Sequence, residues 1–243
     1  GGTGAVSCAI ADAARRFGAE IRTEAPVARI DVRNGEARTV VLEDGTEISA
    51  RQIISAVDPR RTFFGLVGEE NLDPEFAAGI RRFRLRGSSG KVNLALDGLP
   101  EFACRPGAGA HLKGDITIAP SFQYLETAYQ DAKEGRWSRK PFLDIVIPSL
   151  TDPTLAPPGK HVMSCFVQYA PYALAEGPET WPSQREAFGD AVISVLEEYC
   201  PGISSLILHR HILTPWDLEK EYGLTEGNIF HGELSLEQLF FLR

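Results

Sequence analysis

The sequence contains no apolar run long enough to cross a membrane, since its longest such stretches are far shorter than the ~20 residues a spanning helix needs. It also lacks a basic excess: 25 lysines and arginines stand against 33 aspartates and glutamates, for a net charge of −8. Nucleic acids and anionic lipids are bound through basic surfaces, so this balance argues against nucleic acid as a partner. The composition, 43% hydrophobic and 24% charged, is typical of a globular protein of one large or two modest domains.

Cysteine is scarce and scattered. Cys8, Cys104, Cys165 and Cys200 form no Cys-x-x-Cys pair, and none lies near a histidine at metal-site spacing. This pattern predicts reduced thiols in a cytoplasm-like compartment rather than a disulfide framework. The sequence also has no GxSxG nucleophile elbow, so nothing in it supports an α/β-hydrolase.

A glycine cluster opens the sequence and leads into a predicted helix. Apolar residues recur there at helical spacing and predict a single apolar stripe made of Val6, Ala9, Ile10, Ala13, Ala14 and Phe17. Thr3 is the predicted N-cap, and Gly18 the predicted stop. A dinucleotide fingerprint needs GxGxxG between a strand and a helix, but Ser7 occupies the third glycine position. The pattern therefore favours a glycine turn over a pyrophosphate loop.

After this helix, the apolar residues change to the alternating period of strands. The turn dipeptides Asn34-Gly35 and Asp44-Gly45 separate three predicted strands of a meander, at 27–32, 39–42 and 47–50. Further strands are predicted at 19–21 and 52–57, the second ending at Asp58-Pro59. Beyond residue 58, the sequence predicts helices over 73–83, 121–133 and 183–199, and strands at 91–96, 142–147, 161–168 and 205–213.

The order of these segments resembles a known family. GGTGAVSCAIADAARRFGAEI, VARIDVRNGEARTVVLEDGTEISA and RQIISAVDP resemble the second half of the FAD-binding domain in the phytoene desaturase and amine oxidase superfamily. KVNLALDGLP, IAPSFQYLETAYQDAKEG, FLDIVIPSLTDPTLAPPGKH and TPWDLEKEYGLTEGNIFHGELSLEQLFFLR resemble its phytoene-dehydrogenase-related branch, which includes the pyridine nucleotide-disulfide oxidoreductase domain-containing proteins. The likeness covers essentially the whole chain.

The resemblance implies a mixed α/β (α+β) fold in two parts. Residues 1–58 are expected to form the second part of a Rossmann-like FAD/NAD(P)-binding domain with a β-meander. Residues 59–243 are expected to form a substrate-binding domain, a mixed sheet with helices that is incomplete at its C-terminus. The chain would thus be the central fragment of a longer oxidoreductase.

The resemblance also implies FAD as the cofactor and places five residues beside it. Gly1 and Gly2 correspond to the turn where the chain re-enters the flavin domain, and Val27 to a strand residue whose backbone touches adenine. Ala56 and Val57 end the strand that closes this subdomain. An ordinary core valine, and a buried strand that simply ends at a turn, explain the last three residues equally well without a cofactor.

Two polar residues late in the chain are candidates for substrate contact. Asn228 and His231, in GNIFHGE, lie on a segment that leads back toward the flavin in the family. The alternative is a histidine that fixes a loop through backbone hydrogen bonds.

His209 and His211 share one face of a predicted strand, but no third metal ligand is identifiable, so a structural or surface role is favoured and no metal is expected.

By resemblance, the whole protein is expected to transfer hydride from an apolar small-molecule substrate to flavin, and the fragment alone to be inactive. No catalytic residue is assigned, which is compatible with chemistry supplied by the cofactor. A non-catalytic lipid- or prenyl-binding module, or a chaperone of the same architecture, is the alternative. The resemblance leaves open a peripheral membrane contact and a homo-oligomer, and it implies a bacterial cytoplasmic or a eukaryotic mitochondrial matrix location.

Overall fold

The computed structural model of the protein describes residues 2–239. Its elements in chain order are α1 (Gly2–Arg16), β1 (Val27–Arg33), β2 (Glu36–Leu42), β3 (Glu47–Ser49), α2 (Pro74–Arg82), β4 (Ser89–Leu96), β5 (Ile116–Ile118), α3 (Phe122–Lys133), β6 (Phe142–Val146), β7 (His161–Gln168), α4 (Trp181–Tyr199), α5 (Ile203–Leu206), β8 (Ile207–Leu213) and α6 (Pro215–Tyr222). The predicted mixed α/β class is confirmed. None of the helices described has the length and apolar character that a membrane span requires.

The chain divides into two compact units. The smaller unit contains residues 10–86 and 228–239, and the larger unit contains residues 2–9 and 87–227. The predicted domains, a part of an FAD/NAD(P)-binding domain over 1–58 and a substrate-binding domain over 59–243, stay a prediction.

The smaller unit is built on a three-stranded antiparallel sheet in the order β1-β2-β3. Asn34 and Gly35 have φ angles of 52° and 77°, as a type I′ turn requires, so the predicted hairpin is confirmed. Helix α2 begins where predicted, because the Asp73 carboxylate accepts the N–H groups of Glu75 and Phe76 at 2.9 and 3.1 Å. The buried apolar side chains of the sheet are Ile30, Val41 and Leu42.

Two segments of the smaller unit that we predicted as strands, 19–21 and 52–57, are irregular in the structure. A strand is defined by its hydrogen bonds to a neighbour, and neither segment pairs with another strand within residues 2–239. Their apolar side chains consequently stay in solvent: Ile54 is 93% exposed and Val57 is 43% exposed. The strand prediction is therefore wrong for both segments. Both leave apolar side chains uncovered within residues 2–239.

Helix α1 shows the same exposure. It begins at Gly2, so Thr3 lies inside the helix and is not the N-cap that we predicted. The helix stops before Gly18, which has a φ of 90°. No residue of α1 is buried, and its predicted apolar stripe is open to solvent: Val6 is 60%, Ile10 66% and Phe17 92% exposed.

The larger unit contains a five-stranded sheet in the order β5-β6-β7-β4-β8. Every pairing in it is antiparallel, so the sheet that we expected to be mixed is an antiparallel one. Strand β5 and helix α6 were not predicted, because elements of 3 and 8 residues are too short to show a clear period. One face of the sheet carries the main core, which includes Val92, Leu94, Leu96, Leu143, Ile145, Met163, Cys165, Val167 and Ile212.

Helix α4 packs on this core face. Its Phe188, Val192 and Leu196 side chains are fully buried. A glycine in β4 permits the close approach, since a Cβ on Gly90 would lie 2.8 Å from the Phe188 ring. The opposite face of the sheet, which we call the outer face, carries partly or fully exposed side chains apart from the buried Ser89 and Leu213.

Candidate functional site

The first residue of β1, Val27, presents its backbone polar groups away from the sheet. Within residues 2–239, strand β1 lies at the sheet edge and pairs only with β2. Val27 lies opposite Leu42, and the next residues outward, Pro26 and Glu43, are joined by a 2.9 Å hydrogen bond from the Glu43 N–H. Val27 and Leu42 therefore form a non-hydrogen-bonded pair, in which the N–H and C=O groups of each residue point away from the other strand. Val27 therefore presents an N–H and a C=O at the outer edge, beside a side chain that is 37% exposed.

Ala56 and Val57 lie on the irregular segment that precedes a buried carboxylate. Both residues are exposed, whereas Asp58 is only 3% exposed and its carboxylate accepts the Arg61 N–H at 2.9 Å. This contact begins the helical turns that continue as a π-helix over Arg61–Val67. The two small apolar residues are thus accessible to a neighbouring group, and their cofactor contact stays a prediction.

Gly2 is held by the larger unit. Its N–H donates to the Asp152 carboxylate at 2.8 Å, and a Cβ at this position would lie 3.2 Å from Leu155. The Thr154 hydroxyl and N–H, and then the Gly2 N–H, lower the pKa of Asp152. The N–H of Gly2 is therefore already engaged within the protein. Gly1 lies outside the described residues, and cofactor contact stays a prediction for both glycines.

Asn228 organises a tight turn. Its side-chain oxygen accepts the N–H groups of Phe230 and Gly232 at 2.9 and 3.1 Å, and its side-chain nitrogen donates to the Arg86 C=O at 3.1 Å. Asn228 is 6% exposed, and His231 within this turn has a φ of 54°. The amide of Asn228 thus shapes the backbone, while His231 remains half-buried. Substrate contact stays a prediction for both residues.

The residues after this turn, up to Gln238, are hydrogen-bonded to Arg84 and Arg86, which follow helix α2. The Arg84 N–H donates to the Gln238 amide oxygen at 2.6 Å, and the Gln238 amide nitrogen donates to the Arg84 C=O at 3.0 Å. The Arg86 guanidinium contacts Glu233 at 2.9 Å and lowers the pKa of that carboxyl. The segment 228–239, which these hydrogen bonds hold in place, nevertheless leaves four apolar side chains exposed, namely Ile229, Phe230, Leu234 and Leu236.

The outer face of the larger sheet brings together polar residues from three strands. His209 and His211 share this face of β8, as predicted. His211 lies opposite Asn93 of β4, whose side-chain oxygen accepts the Ser164 hydroxyl of β7 at 2.9 Å. No group of three metal-ligating side chains gathers anywhere within residues 2–239. The sequence did not reveal this row, because only the strand register aligns residues so distant along the chain.

The fold has a counterpart among solved protein structures. The structure resembles that of an oxidoreductase from Methanosarcina mazei with a TM-score of 0.55, at 22% sequence identity, over 82% of this chain and 39% of that one. At this level of identity the likeness shows a shared fold.

Sequence similarity then defines the family. The chain is 41% identical to mouse pyridine nucleotide-disulfide oxidoreductase domain-containing protein 2 over 255 residues, covering 100% of the chain and 43% of the mouse protein. It is 27% identical to a lycopene-forming phytoene desaturase from Pseudescherichia vulneris, covering 100% of the chain and 47% of that protein. The family model for flavin containing amine oxidoreductases matches residues 1–222. The chain belongs to this family, and it spans less than half the length of these curated relatives.

Proposed function

We propose that the whole protein binds FAD and uses it as the hydride acceptor in the oxidation of an apolar small molecule. Membership of a flavin-containing family supports the cofactor. The similarity to a phytoene desaturase supports an apolar substrate. The observation that carries the proposal is the outward-facing backbone N–H and C=O of Val27.

The edge at Val27 suits the adenine end of FAD. Adenine presents a ring-nitrogen acceptor next to an amino donor, and the N–H and C=O of one strand residue can pair with both. The apolar Val27 side chain, 37% exposed, can pack against the flat ring. The residues present therefore fit this part of the cofactor.

The exposed apolar surfaces of the chain indicate where the rest of the cofactor domain packs. The apolar stripe of α1 and the unpaired segments 19–21 and 52–57 are uncovered within residues 2–239. A helix and strand-forming segments with exposed apolar side chains are what a parallel nucleotide-binding sheet would cover. We propose that parts of the whole protein outside this chain supply that sheet, so the chain alone has an incomplete FAD site and does not retain flavin.

When bound, FAD supplies the electron acceptor, and the protein supplies position and exclusion of water. The segment 228–239 exposes the apolar side chains of Ile229, Phe230, Leu234 and Leu236. This fits a site that positions an apolar substrate. No residue of this chain is assigned a proton transfer.

Removing the Val27 N–H tests the cofactor contact in the whole protein. Val27→Pro deletes this donor at the start of an edge strand, where proline is tolerated, while Val27→Ala keeps it. A neutral hydrogen bond contributes ~0.5–1.5 kcal/mol, so V27P is expected to weaken FAD binding by about two- to twelvefold. V27A is expected to bind FAD within about twofold of the unchanged protein. Unchanged FAD affinity in a folded V27P variant, measured by flavin fluorescence titration, would contradict the proposed contact.

The non-catalytic alternative predicts a different bound molecule in the purified whole protein. A lipid- or prenyl-binding module would purify with a hydrophobic ligand, detectable by mass spectrometry of an organic extract, and without flavin absorbance. Retained flavin that is reduced by a substrate would exclude that alternative.

A further inference from the structure

The outer face of the larger sheet carries a row of hydrogen-bonding side chains across three adjacent strands. His211, Asn93 and Ser164 lie side by side on β8, β4 and β7. The Ser164 hydroxyl donates to the side-chain oxygen of Asn93, which orients the amide. The side-chain nitrogen of Asn93 makes no hydrogen bond within the described part of the chain, so its donors are available to a ligand beside the exposed His211.

The charge on this face is positive beside the row. Lys91 lies two residues before Asn93 on β4 and therefore on the same face, and its side chain is exposed. Its ammonium forms no ion pair with a carboxylate of residues 2–239. Asp144 is the acidic residue of these strands, and it accepts the Thr117 hydroxyl at 2.8 Å. Asp144 lies two strands away from Lys91, about 10 Å at the usual strand spacing, and does not neutralise it.

Apolar side chains occupy the neighbouring strands β7 and β6 on the same face. Phe166 lies opposite Lys91, and Val146 lies opposite Ser164 on the next strand. Val162 follows on the same side of β7, opposite Ala95. A molecule on this face would meet hydrogen-bond donors and one positive charge on β8 and β4, and apolar groups on β7 and β6, with Asp144 beside Phe166.

We infer that the outer face binds the carboxylate end of an apolar small molecule, with Lys91, Asn93 and His211 holding the carboxylate. The apolar body of the molecule lies over Phe166, Val162 and Val146. Charge complementarity selects this occupant, because an ammonium and neighbouring hydrogen-bond donors suit an anion better than a hydrocarbon or an amine. The inference goes beyond the proposed function, because it concerns only residues of the larger unit and assigns this surface an anionic ligand of its own.

Octanoate and 1-octanol are suitable probes for the whole protein, because they share an apolar chain and differ in the carboxylate. Isothermal titration is expected to show octanoate binding at least about tenfold more tightly than octanol. Lys91→Gln and His211→Gln are each expected to weaken octanoate binding by about tenfold and to leave octanol binding unchanged. His209→Gln is the matched control, because it alters another exposed histidine of the same strand and face outside the row, and its effect should stay within about twofold.

Flavin absorbance, recorded for each variant, separates this inference from the proposed function. A colourless protein that binds octanoate through Lys91 and His211 would refute the proposed function and leave the carboxylate site standing. A flavin-loaded protein that binds octanoate and octanol equally, or that loses octanoate binding equally in H209Q and H211Q, would overturn the carboxylate site. Failure of octanoate to bind would overturn it as well.

Discussion

Replacing Ile10 with alanine distinguishes the chain alone from the whole protein, because the Ile10 side chain is 66% exposed on α1. Burying an isoleucine side chain fully contributes ~1.5–3 kcal/mol, so about a third of this, ~0.5–1 kcal/mol, is present in the chain alone. Alanine is the better helix former by a few tenths of a kcal/mol, which offsets part of the loss. We therefore expect I10A to lower the free energy of unfolding of the chain alone by no more than ~0.5 kcal/mol.

In the whole protein, our proposal places α1 against a nucleotide-binding sheet. I10A then removes a buried side chain, and such changes cost ~2–5 kcal/mol. Urea denaturation of both forms measures the difference. Ser7→Ala, at an exposed polar position of the same helix, is the control and should shift both forms alike by a few tenths of a kcal/mol. Equally small losses for I10A in both forms would refute the reasoning that the rest of the protein covers α1.

Two further predictions concern the core of the larger unit. Burial raises the pKa of the Cys165 thiol to about 12, so we expect iodoacetamide at mildly alkaline pH to modify the exposed Cys8 and Cys104 and to spare Cys165, as read by mass spectrometry. The contribution of this protonated thiol to the free energy of unfolding is complete below its ordinary pKa of 9.0 and declines as the pH rises toward 12. Rapid labelling of Cys165 in the folded protein would contradict the raised pKa. Gly90→Ala should lower the free energy of unfolding by ~1–3 kcal/mol, because its Cβ would meet the buried Phe188 ring at 2.8 Å. Gly114→Ala, with nothing within 4 Å, should be neutral or stabilising by up to ~1 kcal/mol, and equal effects of the two changes in a thermal melt would argue against the packing explanation.

Local sequence signals predicted the elements that depend on local interactions. The Asn34-Gly35 turn determines the first hairpin, because both positions need positive φ angles. Asp73 starts α2 through its own side chain. Helix α4 was visible in the spacing of its apolar residues, although the role of Gly90 in admitting Phe188 depends on a strand far away in the sequence.

The sequence failed where a distant partner decides the structure. Residues 52–57 have the composition of a buried strand, yet no strand of residues 2–239 lies beside them, so they form no ladder there. The candidate site residues likewise depend on contacts between distant parts of the sequence. Val27 was identified by resemblance, but the outward direction of its backbone follows from the Pro26–Glu43 hydrogen bond. The row containing Asn93 and His211 is created by strand register alone.

The absorption spectrum of the purified whole protein tests the central claim most directly. We expect a flavin spectrum with one FAD per polypeptide, and no flavin on the chain of residues 1–243 expressed alone. A whole protein that is colourless and whose spectrum and melting temperature do not change when FAD is added would contradict the account.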